Sequence, residues 1–277
     1  MATLYIVATP IGNLKDITLR ALETLAKVDI IAAEDTRMAK KLLHAHNLAT
    51  PLISYHQHNA PQRDAELIAE LQQGKKIALI TDAGTPLISD PGHSIVSLCR
   101  KNHIQVIPIP GACAAVAALC VNDFSITRYF FEGFLPAKHS ARIQRLQTVC
   151  VYPQAIIFYE AKHRILAMLN DLSDVCGSQR RVMIARELTK LHEQIVSGSL
   201  GEVIQQLEDD SIPTKGEFVI VLEGATQNKD TDAELEKMRI LFNKVSVLMS
   251  RKDAVQLACL LSGLPKNMLY EVAGEYY

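Results

Sequence analysis

Acidic and hydroxyl side chains recur in this sequence directly behind short apolar runs. Ile77-Ala78-Leu79-Ile80 is uninterrupted by polar residues, then Thr81-Asp82-Ala83-Gly84-Thr85-Pro86-Leu87-Ile88-Ser89-Asp90-Pro91-Gly92 follows. Such a run marks a strand buried on both faces. In open α/β sheets, ligands bind in the space beyond the carboxyl ends of such strands. Glu34-Asp35-Thr36-Arg37 stands in the same relation to the run at 29–33, and Thr9-Pro10-Ile11-Gly12-Asn13 to the run at 4–8. Pro110 to Ala114 follows a further run at 105–109. Polar and turn-forming groups therefore converge on one sheet edge, which is the strongest functional signal in the pattern. Asp90 and Pro91 also suit the start of a helix, Asp90 as a cap and Pro91 at the first helical position.

The elements that must hold these groups alternate. Leu19, Leu22 and Leu25 repeat at helical spacing; a helix covers 38–43, a short strand 52–54, and Asn59-Ala60-Pro61 opens a helix that Gly74 ends. An alanine- and valine-rich helix covers 112–121. The alternation predicts a parallel sheet with helices on both faces. Beyond a crossing at 123–128, an edge strand is expected at 130–134 and further strands at 155–159, 181–185, 194–197 and 217–222. Residues 197–201 are expected to turn into a helix. Lys138, Arg142 and Arg145 share one helical face, which reads as a solvated basic face or an RNA track, and Lys162-His163-Arg164 and Arg180-Arg181 add basic charge. The polar stretch 227–234 reads as a linker. After it come a helix around Leu235–Phe242, a second opened by Ser250-Arg251-Lys252-Asp253, a Gly263 turn and a third helix begun by Pro265, the helix-turn-helix pattern.

Composition sets the outer limits. The 277 residues are 48% hydrophobic and 21% charged with a net charge of −1, a globular chain without global attraction to nucleic acid. No apolar run reaches the ~18 residues of a membrane span, so a cytoplasmic, unanchored protein is expected. None of the six cysteines forms a C-x-x-C pair, which predicts buried, reduced thiols. There is no G-x-G-x-x-G, G-K-[ST], H-E-x-x-H or G-x-S-x-G pattern and no zinc spacing. No metal site is expected; His44, His46, His56 and His58 read as ordinary surface or structural histidines.

Five motifs in order carry a resemblance: Ala8 to Leu14, Ala33 to Arg37, Thr81 to Gly92, Phe131-Glu132-Gly133-Phe134-Leu135-Pro136 and Ala185-Arg186-Glu187-Leu188-Thr189-Lys190. Together they resemble the tetrapyrrole-methylase superfamily, in its branch acting on small-subunit ribosomal RNA, over residues 4–224. The resemblance implies two α/β domains, 1–122 and 123–226, with a cofactor cleft between them, and a helical extension at 227–277. It implies S-adenosyl-L-methionine as cofactor and 2′-O-methylation of a cytidine in the decoding region of 16S rRNA. A homodimer acting on the small ribosomal subunit is expected. The implied cofactor contacts are Thr9, Pro10, Gly84, Thr85, Pro86, Ile88, Cys113, Ala114, Tyr159, Glu160 and Ala185.

Methyl transfer from a sulfonium is an in-line displacement in which the protein chiefly holds donor and acceptor in line. A ribose hydroxyl gains from a proton acceptor. Glu34, Asp35, Asp82 and Asp90 are candidates for it, with Arg37 and Arg186 as phosphate clamps. Tetrapyrrole-specific members carry acids in the first loop and Gly-Asp-Pro in the second. This chain has Thr9-Pro10-Ile11-Gly12-Asn13 and Gly84-Thr85-Pro86, which argues against a porphyrinoid acceptor. The rival readings are a methyltransferase on a small corrinoid or siroheme precursor and a non-catalytic RNA-binding assembly factor.

Overall fold

Alternate residues of the fourth apolar run face opposite ways, and this organises the N-terminal half. A computed structural model describes residues 2–225, 231–262, 264 and 266–277. The first elements are β1 (Thr3–Val7), α1 (Leu19–Lys27), β2 (Ile30–Ala33), α2 (Thr36–Ala45), β3 (Leu52–Ser54), α3 (Ala60–Gln72), β4 (Lys76–Ile80), α4 (His93–Lys101), β5 (Gln105–Ile109) and α5 (Ala114–Cys120). The strands pair in the order β3-β2-β4-β1-β5, all parallel. Ile77 and Leu79 pack with Leu67, Leu71, Ile95 and Cys99 of α3 and α4. Ala78 and Ile80 pack with Ala21, Leu25, Ala39 and Leu43 of α1 and α2. Both faces are covered, so the unbroken apolar run is explained, and every carboxyl end lies on one edge.

The second sheet is built differently. Its elements are β6 (Tyr129–Phe134), α6 (His139–Val149), β7 (Ala155–Ala161), α7 (Ile165–Cys176), β8 (Arg181–Arg186), β9 (Gln194–Ser199), α8 (Leu200–Glu208) and β10 (Glu217–Leu222). The order is β6-β7-β10-β8-β9, with β6 on the edge and parallel to β7, and the other pairings antiparallel. Helices α6, α7 and α8 cover one face through Leu146, Leu169 and Val203. Ala115 and Ala118 of α5, with Ile11, cover the other. An element of the first half thereby closes the core of the second, and residues 2–225 form one compact unit. Ser199 caps α8 in a capping box with Glu202, the turn expected there.

Two expectations need correction. The basic face of α6 is not a free surface. Arg142 is buried and paired with Asp171 of α7, and Arg145 is held by Glu132 at 2.6 and 2.7 Å. Spacing shows which residues share a face but not that the face turns inward onto acids from other elements. Arg164, likewise, donates to the Leu135 carbonyl at 2.8 Å, and Arg181 pairs with Asp123 at 3.0 Å. The second correction concerns α4, which starts at His93 with Gly92 as its N-cap. Asp90 and Pro91 lie ahead of the helix, and Asp90 caps nothing.

Residues 226–277 make a second compact unit. It contains α9 (Thr231–Val245), α10 (Arg251–Ser262) and α11 (Lys266–Ala273), around Phe242, Val255, Ala258, Leu269 and Val272. Ser250 caps α10 by accepting from the Asp253 amide at 3.3 Å. Of the expected linker, 227–230 lies outside the described residues and 231–234 is helical. Gly263 and Pro265 of the expected turn also lie outside them. Arg251 donates to the Tyr270 carbonyl and lies over its ring at 5.6 Å, so this cation serves the unit's own packing. Among the described residues no helix is long and apolar enough to cross a membrane.

Candidate functional site

The edge of the first sheet is knitted together by backbone. Thr9 and Gly84 form an isolated antiparallel bridge, Thr9 N donating to Gly84 O at 2.9 Å and Gly84 N to Thr9 O at 3.1 Å. The buried Thr9 hydroxyl donates to the Thr81 carbonyl at 3.1 Å, and the Thr85 hydroxyl to Ala112 O at 3.0 Å. The loops after β1, β4 and β5 are thus one construction. Between β4 and α4 the chain enters the left-handed region at Gly84 (φ +82°), Leu87 (+73°), Ser89 (+68°) and Gly92 (+132°). Left-handed Leu87 and Ser89 are costly for residues with a Cβ and concentrate at ligand sites. At Gly92, φ +132° is a conformation that residues with a Cβ rarely adopt, and a Cβ there would sit 2.7 Å from Leu79 Cδ2, so glycine suits the start of α4 against β4.

A cavity of about 380 Å³ opens over this edge, in the size range of small-molecule sites. Of the implied cofactor contacts, Gly84, Thr85, Ile88, Cys113 and Ala114 line it from the first half. Tyr159, Glu160 and Ala185 line it from the second. Thr9, Pro10 and Pro86 do not line it; they lie buried beneath, where Thr9 braces the loop. Sequence reasoning missed Phe134, Leu188 and the start of β10, where Glu217, Phe218 and Val219 complete the wall. Phe134 and Leu188 stood within quoted motifs, whereas β10 offered only its apolar pattern.

The wall carries Asp90, Glu160 and Glu217, and no Lys, Arg or His among the described residues. Glu160 is buried; its Oε1 accepts from the Ala161 amide at 2.8 Å, while Oε2 is ion-paired with Arg164 at 3.1 Å. A cavity walled by apolar groups and acids, with Asp90 among them in no ion pair among the described residues, suits a cationic organic ligand and disfavours a phosphate. The Tyr159 hydroxyl accepts from the Ala115 amide at 3.0 Å, and burial with Cys113 beside it pushes its pKa up.

Beside the cavity the carboxylates crowd. Asp82 Oδ1 accepts from the Asp35 amide at 2.9 Å, joining the ends of β2 and β4. Burial, then the Asp82 charge, raises the Glu34 pKa. Asp90 is pushed up to about 6 by burial and by Glu34 and Asp82, against the pull of the Thr81 hydroxyl. Asp35 goes the other way, to about 2, because Arg37 donates to its carboxylate. The Arg37 side chain is 87% exposed and bonds both Asp35 oxygens. Arg186 is placed elsewhere. It is buried and donates to the carbonyls of Lys215 at 2.5 Å and His192 at 3.1 Å, so its guanidinium braces a loop. Among the described residues, no group of three or more His, Cys, Asp or Glu is arranged to hold a metal ion.

The sequence pattern described as Tetrapyrrole (Corrin/Porphyrin) Methylases matches residues 3–204. The chain is 45% identical over 274 residues to the Ribosomal RNA small subunit methyltransferase I of Pasteurella multocida, covering 99% of this chain and 97% of that one. The protein of the same name from Synechocystis sp. is 46% identical, with 99% and 98% covered. Among solved structures, a diphthine synthase superposes with a TM-score of 0.62 at 13% identity, covering 80% of this chain and 90% of that one. Uroporphyrin-III C-methyl transferase from Thermus thermophilus, complexed with S-adenyl homocysteine, gives 0.58 at 12%, covering 80% and 97%. At such identities the structural likeness concerns the fold alone.

Proposed function

The chain belongs to the tetrapyrrole (corrin/porphyrin) methylase family, and from that premise we propose that it methylates a ribose 2′-hydroxyl of 16S ribosomal RNA, on a cytidine of the decoding region. It is a methyltransferase whose cofactor is S-adenosyl-L-methionine. That cofactor supplies a methyl group on a positively charged sulfur. The cavity fits it: its wall carries acids and no Lys, Arg or His of its own, and Asp90 stands there in no ion pair among the described residues, whereas Glu160 and Glu217 are paired with Arg164 and Lys190. Gly84, Thr85, Cys113 and Ala114 on one side and Tyr159, Glu160 and Ala185 on the other would hold it.

Of the four candidate acids at the edge of the first sheet, Asp90 alone lines the cavity, and it is the group we assign to receive the hydroxyl proton. Glu34 and Asp82 raise its basicity from behind. Asp35, with its pKa drawn down by Arg37, stays ionised and anchors that arginine at the rim as the phosphate contact. Arg186 holds its loop. The same reading makes the protein a cytoplasmic homodimer that works on the small ribosomal subunit, with residues 1–122 and 123–226 as the two cofactor-binding domains.

The observation that carries this function is the near full-length likeness to the rRNA methyltransferases combined with a cavity whose polar wall is acidic. Mapping ribose methylation in rRNA from cells with and without the protein tests it: one 2′-O-methyl mark on the small-subunit RNA should disappear. An unchanged map, or purified protein that methylates a tetrapyrrole precursor and ignores unmodified subunits, would sink the reading.

A further inference from the structure

The edge strand β6 contains an extra residue. Tyr129, Phe130 and Phe131 pair with Ala155, Ile156 and Ile157; Gly133 and Phe134 then pair with Phe158 and Tyr159, leaving Glu132 over. In a regular strand, residues three apart point to opposite faces. The bulge cancels that alternation. Phe131 and Phe134 both lie edge-to-face on Tyr159, with ring centroids 5.1 and 5.7 Å away. Gly133 permits the turn at φ +73°, and a Cβ there would fall 2.8 Å from Ser89 Oγ, in the loop that carries Asp90.

The two rings have different fates. Phe131 is half-buried against the core, whereas Phe134 is 55% exposed at the wall of the cavity. Single exposed aromatics are common on surfaces. This one is aimed at the ligand site by a bulge, a device that re-aims side chains beside active sites. Its ring is backed by Tyr159, whose hydroxyl is tied to the Ala115 amide, so it is held ready before anything binds. Exposed Lys162 and His163 follow β7, the strand parallel to β6, at the same sheet edge. A fixed, solvent-facing aromatic face with cations nearby is what an unstacked base on a charged backbone requires.

We propose that Phe134 is the stacking platform for a nucleobase of the RNA acceptor, placing that nucleotide's ribose over the cavity. The proposal rests on the RNA-methylating function above. The test uses full-length protein, unmodified small ribosomal subunits and labelled S-adenosyl-L-methionine, with Phe134→Leu and Phe134→Trp. Phe134→Leu keeps the apolar bulk and loses the ring. It should raise KM for subunits about tenfold, equivalent to about 1.4 kcal/mol, while Phe134→Trp stays within about twofold of wild type. The donor Kd, read by calorimetry, should move by less than about twofold in both variants, since stacking concerns the acceptor. Equal KM values in Phe134→Leu and wild type overturn the proposal. So does a weakened donor Kd with unchanged KM, which would give the ring to the donor's purine. Wild-type protein that binds donor yet leaves subunits unmethylated overturns the functional reading itself, a result distinct from either.

Discussion

The edges of the two sheets treat charge in opposite ways. At the first edge Glu34, Asp82 and Asp90 form no ion pair among the described residues, though Asp35 beside them is held by Arg37, and Glu34 and Asp90 are driven towards their neutral forms. In the second half, acids are matched by cations: Asp171 by Arg142, Glu132 by Arg145, Glu187 and Glu217 by Lys190. At Glu187 burial pushes the pKa up, but Lys190 and backbone amide donors outweigh it. The first edge holds ionisable groups in tension, which a chemical step can use; the second uses them as fasteners. Charge left unmatched, and not charge itself, separates the reactive edge from the structural one.

Breaking a fastener should cost the most stability. Asp171→Ala leaves Arg142 buried without its partner and is expected to lower unfolding free energy by about 3–5 kcal/mol, measured by urea denaturation. A loss under about 1 kcal/mol would show that the pair is not matched as described. Asp90→Asn should do the reverse. Stability is held or improved, because a repelled carboxylate is removed, while turnover falls at least about 100-fold with donor binding retained.

The pH dependence sharpens the contrast. The folded pKa of Asp90, about 6, exceeds its ordinary value of 3.8, so the folded state holds this proton more tightly. Its contribution to stability is therefore greatest below 3.8 and declines as pH rises towards 6. Turnover, which requires the ionised carboxylate, should climb through the same window. Melting and rate profiles of wild type and Asp90→Asn check both trends, and the variant should lose the stability decline. A smaller effect is expected at Gly133→Ala, where a left-handed position and the Ser89 hydroxyl oppose a Cβ. It should lose about 1–2 kcal/mol by denaturation. Smallest is Arg37→Gln at the open rim: an unchanged melting temperature, with a KM for RNA that becomes less sensitive to salt.

The strands and their shared edge were legible because a doubly covered strand has to be apolar along its length, as at Ile77–Ile80. The loop motifs were legible because left-handed turns restrict residue choice, as at Gly84 and Gly92. Asp90 was misread as a cap because Asp-Pro-Gly has the composition of a helix start. The helix starts later, because Gly92 at φ +132° is its N-cap, where a Cβ would meet Leu79, thirteen positions earlier in the sequence. Arg142 and Arg145 looked solvent-facing because Asp171 and Glu132, which claim them, belong to other elements. Phe134 was visible as part of a motif, but its direction depends on a bulge whose register is set by β7. In each case local pattern located the element, and partners distant in sequence decided what its side chains do.

The two amide bonds between Thr9 and Gly84 have a dynamic consequence. Each loop can release its amide proton to solvent only by breaking the bridge that protects the other's. The loops after β1 and β4 are therefore expected to open as one unit, and Thr9 and Gly84 should show a common opening free energy in amide exchange. A ligand that covers Gly84 should therefore slow exchange at Thr9 as well.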